Sequence, residues 1–184
     1  MNLSIREWTE ADIDLIIDYF SNASEEALLE MGAEKSKLPE RSKWYELLQL
    51  EVSKIDAEKN VFYFIWLLDD QPIGHSNIND IKLGDHAFMH LHLWLTDKRK
   101  SGIGSAFVKL CIRQFFERFQ LKTLYCEPYA HNPAPAAALK KLGFELIGQY
   151  EGFPGILTFK QLVSKYELTK ETFEKVEWPP LKQT

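Results

Sequence analysis

Residues 90–110 read HLHLWLTDKRKSGIGSAFVKL, which passes from a strand-like alternation to a basic cluster, a Gly-x-Gly pair and a helical pattern. The alternation puts Ala87, Met89, Leu91, Leu93 and Leu95 on one face of a strand and Phe88, His90, His92 and Trp94 on the other. Beyond the glycines, Ile103, Ala106, Phe107, Leu110, Cys111 and Phe115 recur at helical spacing. A glycine turn between strand and helix lets backbone approach a ligand closely. The first amides of the helix have no intrahelical partner and can cradle phosphate. Arg99 and Lys100 add cationic groups beside the turn, so the junction suits a pyrophosphate. A plain tight connection with solvated basic side chains would use the same residues.

Spacing separates the nucleotide motifs that share such glycines. A dinucleotide fingerprint places a third small residue where Phe107 stands, and a P-loop requires Gly-Lys-Ser/Thr after four intervening residues. The stretch has neither.

Working outward, LSIREW (3–8) alternates as a strand, and Thr9 with Asp12 forms a capping-box pattern ahead of Ile13, Ile16, Ile17 and Phe20. Helix formers fill 24–33 and 40–55, with Gly32 and Pro39 as breakers. NVFYFIWLLDD, QPIGHSNINDI and HAFMHLHLWLT, joined by turn-like pieces at 69–72 and 82–85, predict a three-stranded antiparallel meander. KTLYCE (122–127) adds a short strand after the helix, so strand, helix and strand form a parallel crossover. PAPAAALKKLGF (133–144) reads as a helix with prolines in its first turn and Gly143 at its C-cap. FELIGQY and GILTFKQLVSKYEL supply two more strands, and EWPPLKQT reads as a tail.

With 184 residues, 45% of them hydrophobic and 27% charged, the chain can fill the core of one α/β domain. A formal net charge of -5 gives no general footing for nucleic acid. Cys111 and Cys126 lack metal-ligand spacing, the first residues lack a basic start followed by a long apolar run, and no apolar run approaches the roughly 18 residues that span a bilayer. A reduced, cytoplasmic setting with no membrane partner is the expectation.

Arg99-Lys100-Ser101-Gly102-Ile103-Gly104 resembles the Arg/Gln-x-x-Gly-x-Gly/Ala motif of the GCN5-related N-acetyltransferase (GNAT) superfamily. Asn132, Leu139, Lys141, Gly143 and Phe144 resemble its second motif, Asn-x-x-Ser/Ala-x-x-x-Tyr/Leu-x-Lys-x-Gly-Phe. The element order is similar to that family's from Leu3 to about Leu168, closest to the RimJ/RimL-like branch. The resemblance implies a single-domain GNAT fold, a central mixed, mostly antiparallel sheet of about seven strands flanked by helices. The domain would span 1–170, with a tail at 171–184.

The same resemblance implies acetyl-CoA as co-substrate, held by the backbone of Leu93, Trp94 and Leu95, by the turn Arg99, Lys100, Ser101, Gly102, Ile103, Gly104 and Ser105, and by Asn132. The expected reaction is transfer of acetyl to a primary amine, of a small molecule or a protein N-terminus, by direct attack. A lysine-like amine has a pKa of about 10, so a base is needed. His90 occupies the position at which many family members carry a catalytic glutamate, and with His92 it is the candidate catalytic pair.

Two departures stand out. Leu139 replaces the tyrosine that many relatives use to protonate the departing thiolate, leaving Tyr129 and Tyr150 as candidate donors. Pro135 sits where relatives carry Ser or Ala. These departures motivate a rival reading, a non-catalytic acyl-CoA-binding regulatory module. A further rival makes His75, His90 and His92 a metal site, although no metal ligand set is assigned. The expected partners are acetyl-CoA and an amine acceptor, with the chain a monomer or homodimer.

Overall fold

The computed structural model describes residues 2–95 and 103–175, which form two compact units. The first comprises the described parts of 1–8, 54–125 and 168–184; the second comprises 9–53 and 126–167.

The first unit is built on strands β1 (Leu3–Glu7), β2 (Val61–Leu68), β3 (Gln71–Lys82), β4 (His86–Leu93) and β5 (Thr123–Cys126), hydrogen-bonded in that order. The pairs β1–β2, β2–β3 and β3–β4 are antiparallel and β4–β5 is parallel, as the meander and crossover predict. Asp69 and Asp70 adopt φ of 48° and 64°, the left-handed pair that a two-residue hairpin needs to match strand twist. Between β3 and β4, Gly84 takes φ 76°.

Helix α4 (Ile103–Phe119) covers one face of this sheet. Phe62 meets Phe119 at 5.3 Å between ring centroids, Phe64 meets Phe115 at 5.2 Å, and Trp66 stacks on Phe107 at 5.2 Å. All six rings are buried, and each such side chain contributes about 1.5–3 kcal/mol by leaving water. The wide apolar stripe read from residues 103–115 is therefore the face that closes the core.

Arg118, at the end of α4, lies over the Phe62 ring with its guanidinium 4.5 Å from the centroid. It forks onto Asp56 (Nε to Oδ2 2.7 Å, Nη2 to Oδ1 3.1 Å) and also reaches Glu7. Arg118→Met keeps the apolar stem but removes the fork, and we expect a loss of about 1–2 kcal/mol in urea unfolding at unchanged m-value. A midpoint equal to the parent's would show the pairs to be fully offset by hydration.

The second unit holds α1 (Ile13–Ser21), α2 (Glu25–Glu30), α3 (Arg41–Ser53), α5 (Pro133–Lys141) and the antiparallel pair of β6 (Glu145–Gly152) with β7 (Gln161–Thr169), which lies in this unit as far as Glu167. Thr9 donates its backbone N–H to Asp12 Oδ2 at 2.8 Å ahead of α1, and the Ser24 hydroxyl caps α2 by accepting from Ala27 N–H at 3.1 Å. Arg41 ties α3 to α1 through Asp14 and Asp18, at 2.5 and 2.6 Å. Helix α5 ends as its sequence predicts: Gly143 takes φ 87°, and Phe144 N–H reaches back to Leu139 O at 3.0 Å.

Two boundaries differ from the sequence reading. The last strand starts at Gln161 rather than near Gly155, because Thr158 closes a turn on Gly155 (N–H to O 3.2 Å) and bridges to Ala33. After Thr169 the chain enters α6 (Lys170–Lys175) in the first unit, where Phe173 stacks on Phe116 at 4.6 Å.

Candidate active site

Strand β4 carries the candidate residues, and its pairing changes along its length. Its parallel ladder with β5 runs through His86↔Thr123, Ala87↔Leu124 and Phe88↔Tyr125. Among the described residues that ladder stops there, whereas the antiparallel ladder with β3 continues to Gly74↔Leu93. Trp94 then donates its backbone N–H to Ile73 O at 2.9 Å. With Trp94 N–H turned to β3, alternation aims the N–H and C=O of Leu93 toward the other edge, away from β3. The Leu93 main chain thus faces the edge along which β5 pairs with His86–Phe88.

The bend has a sequence cause at Gly74. A Cβ there would lie 2.5 Å from His92 O, 2.8 Å from the Trp66 ring and 3.2 Å from Leu93 Cα, so only glycine lets β4 settle this closely on β3. We expect Gly74→Ala to cost about 1–3 kcal/mol in chemical denaturation, since the nearest obstacle is backbone.

The face opposite α4 gathers the histidines. His75 and His92 are register partners with ring centroids 4.8 Å apart, and Tyr63 meets His75 edge-on at 5.4 Å. Trp94 Nε1 donates to His75 Nδ1 at 3.0 Å. His90 lies within 3.1 Å of Asn79 Oδ1 through Nε2, which fixes the proton on Nε2 and leaves Nδ1 as the lone-pair nitrogen. His90 keeps partial surface exposure, yet the dense protein around it lowers its pKa to about 4. Burial, then the neighbouring His92 and His90, push His75 well below the ordinary histidine value.

The sequence reading brought together His75, His90 and His92 correctly as one face, but missed Asn79. The alternation His75-x-Asn77-x-Asn79 on β3 was the available signal: polar residues on the inward face of a buried strand need partners across the ladder. Among the described residues no group of three or more His, Cys, Asp or Glu side chains is arranged to hold a metal.

Gly104 lies in the first described turn of α4, and a Cβ there would meet nothing within 4 Å among the described residues. Ile103 is buried, whereas Ser105 is partly exposed. Arg99, Lys100, Ser101 and Gly102 lie outside the described residues. Within the second unit, Asn132 is the N-cap of α5: Oδ1 accepts from Ala134 N–H at 3.1 Å and Nδ2 donates to Glu30 O at 2.9 Å. Leu139 is buried on the inner side of the same helix.

The two tyrosines are placed differently. Tyr150 donates to Glu127 Oε2 at 2.8 Å, and burial together with that carboxylate pushes its pKa up to about 12. Tyr129 packs against His131 and Phe159, at 5.2 and 5.7 Å. Glu127, passed over in the sequence, is a carboxylate with only 7% of its side chain exposed, within 3.4 Å of Lys165 Nζ. Its signal was a charged residue directly after the buried end of β5, where an unpaired carboxylate would not be tolerated.

Residues 2–145 match the family model of the acetyltransferase (GNAT) domain. The chain belongs to the GNAT acetyltransferase family. It is accordingly an acyltransferase that uses acetyl-CoA as co-substrate. Solved structures agree on the fold. The aminoglycoside acetyltransferase AAC(6')-Ib in complex with coenzyme A superposes with a TM-score of 0.74 at 17% identity, covering 95% of this chain and 98% of that one. Spermidine N-acetyltransferase from Vibrio cholerae, in complex with CoA and spermine, superposes with a TM-score of 0.77 at 14% identity, covering 94% and 98%. No curated protein matches the acetyltransferase by sequence. Coverage of this extent makes it a single-domain α/β acetyltransferase fold with seven strands, mostly antiparallel, and flanking helices.

The residues present fit the co-substrate. The Leu93 main chain offers peptide groups of the kind that pair with the amides of a pantetheine arm, and a Cβ at Gly104, in the first described turn of α4, would meet nothing within 4 Å among the described residues. No described helix is long and apolar enough to cross a membrane.

Proposed function

We propose that this acetyltransferase moves acetyl from acetyl-CoA to a primary amine, of a small molecule or a protein N-terminus, by direct attack. The observation that carries the reading is that, among the described residues, the β4–β5 ladder stops at Phe88↔Tyr125 while β4 runs on beside β3 to Leu93. Leu93, Trp94 and Leu95 would align the pantetheine arm; Arg99, Lys100, Ser101, Gly102, Ile103, Gly104 and Ser105 would receive the pyrophosphate. Asn132, at the start of α5, would be the further cofactor-binding residue that the second motif implies.

Bound acetyl-CoA supplies an activated thioester. The protein's part is to orient the amine and take its proton. With a pKa of about 4, His90 does not deprotonate a free ammonium of pKa about 10. The amine must arrive neutral. As its nitrogen bonds to the acetyl carbon, the proton it still carries turns strongly acidic, and His90 Nδ1 takes it while the C–S bond breaks. Asn79 keeps the ring in the tautomer that leaves Nδ1 bare, and His92 borders the same face. The thiolate takes its proton from solvent, consistent with Leu139 and with a Tyr150 that is a weaker acid than usual.

The element order favours the RimJ/RimL-like branch and a domain over 1–170 with a tail at 171–184; the two buried free cysteines favour a cytoplasmic setting, the net charge of -5 gives no footing for nucleic acid, and the chain would act as a monomer or homodimer. The regulatory alternative draws on Leu139 and Pro135. Calorimetry with acetyl-CoA, then thiol release across a panel of amines and peptide N-termini on the same sample, separates the two. Binding with turnover supports the enzyme; binding without turnover on any amine supports the regulatory module, and absence of binding overturns both.

A further inference from the structure

Strand β4 loses its ladder at Leu93, yet the residue after it is held to β3 twice. Trp94 N–H bonds to Ile73 O at 2.9 Å, and its indole Nε1–H bonds to His75 Nδ1 at 3.0 Å. An indole nitrogen is a donor only, so His75 must present a bare Nδ1 and carry its proton on Nε2. His75 is fully buried, stacked against His92 and wedged by Tyr63, so its ring cannot turn without displacing both. Gly74, between the two anchoring residues, lets the backbone of His92 and Leu93 lie directly on β3. The indole bond thus closes a short loop of contacts, from Ile73 through Gly74 and His75 to Trp94, around the point where β4 turns its edge outward.

We propose that His75 is a positioning residue for acetyl-CoA: by accepting the Trp94 indole N–H it holds the Leu93–Leu95 main chain in the orientation that receives the pantetheine arm. The proposal rests on the cofactor site given above. Imidazole suits the task because its rigid ring places an acceptor at fixed depth in the sheet, and its burial keeps that acceptor unprotonated. The indole bond acts on the main chain at Trp94, so the effect is expected on the co-substrate.

The experiment compares His75→Leu, His75→Asn and Trp94→Phe by calorimetry with acetyl-CoA, by steady-state kinetics and by the indole region of ¹H–¹⁵N spectra. The resonance lost in Trp94→Phe identifies Trp94. We expect His75→Leu to shift that resonance, to weaken acetyl-CoA binding about tenfold and to leave kcat at saturating acetyl-CoA within about twofold. Asn, whose Oδ1 lies near the position of Nδ1, restores affinity to within about threefold of the parent. Trp94→Phe breaks the same bond from a half-buried position with little risk to folding, and combining it with His75→Leu adds nothing further. Folded variants that bind acetyl-CoA as the parent does, or an Asn variant no better than Leu, overturn the positioning role while leaving the cofactor site standing. A parent that binds no acetyl-CoA overturns the site itself, and the positioning role with it.

Discussion

Gly104→Val abolishes acetyl-CoA binding, by about 100-fold or more in Kd, while the protein unfolds at a urea midpoint close to the parent's. The fold tolerates the change because a Cβ at this position meets nothing within 4 Å among the described residues. The helix tolerates it because one β-branched residue in place of glycine is no worse for a first turn. What the two methyl groups occupy is the space through which the pyrophosphate would approach the amides. Losing charge-assisted hydrogen bonds to phosphate at about 1.5–3 kcal/mol each accounts for the magnitude. Calorimetry and urea unfolding on one preparation test both halves. Unchanged affinity would remove the phosphate cradle from this turn.

His90→Ala lowers kcat about 100-fold and leaves acetyl-CoA affinity unchanged. That is the low end of the range for a positioned base, in keeping with an imidazole whose pKa is held near 4. The deficit shrinks as pH rises, since hydroxide then removes the amine proton. In the parent, activity attributable to His90 disappears only as pH falls through about 4, where the ring is protonated beforehand. Stability follows the same group with a definite sign. The folded pKa lies below the unfolded value of about 6.5, so the unfolded chain binds the extra proton. His90's contribution is complete above pH 6.5 and drains away toward pH 4, at roughly 1.36 kcal/mol per unit across that window. His90→Asn flattens this part of the stability profile. A rate profile superimposable on the parent's would take His90 out of the mechanism.

The fold was largely legible because its signals are local. The apolar run of 61–68, alternation in 87–93, the turn chemistry at Asp69-Asp70 and Gly84, and the prolines and Gly143 around α5 each act within a few residues, and these elements formed where their patterns lay. The boundaries that moved were set by distant partners. Thr158 turns on Gly155 and bridges to Ala33, and Phe173 finds Phe116, contacts that no window of sequence contains. The candidate site divides in the same way. That His90 and His92 share a face followed from alternation along one strand, whereas the pairing of His75 with His92 needed the register of two strands, and the tautomer of His90 depends on Asn79, 11 residues away across a ladder with a shifted register. The indole bond from Trp94 to His75 and the enclosure of Glu127 by Tyr150 and Lys165 were illegible for the same reason.

Strand β5 has four residues beside the eight of β4, and this inequality has an evolutionary corollary. A ligand received by peptide groups at the gap would not read the Leu93 side chain directly, so selection along that edge would fall on the groups that hold the main chain in place, the Trp94 indole and His75. Changes at Leu93 would then be tolerated provided that β5 stays short and position 74 stays glycine, because the feature that matters is the path of the main chain.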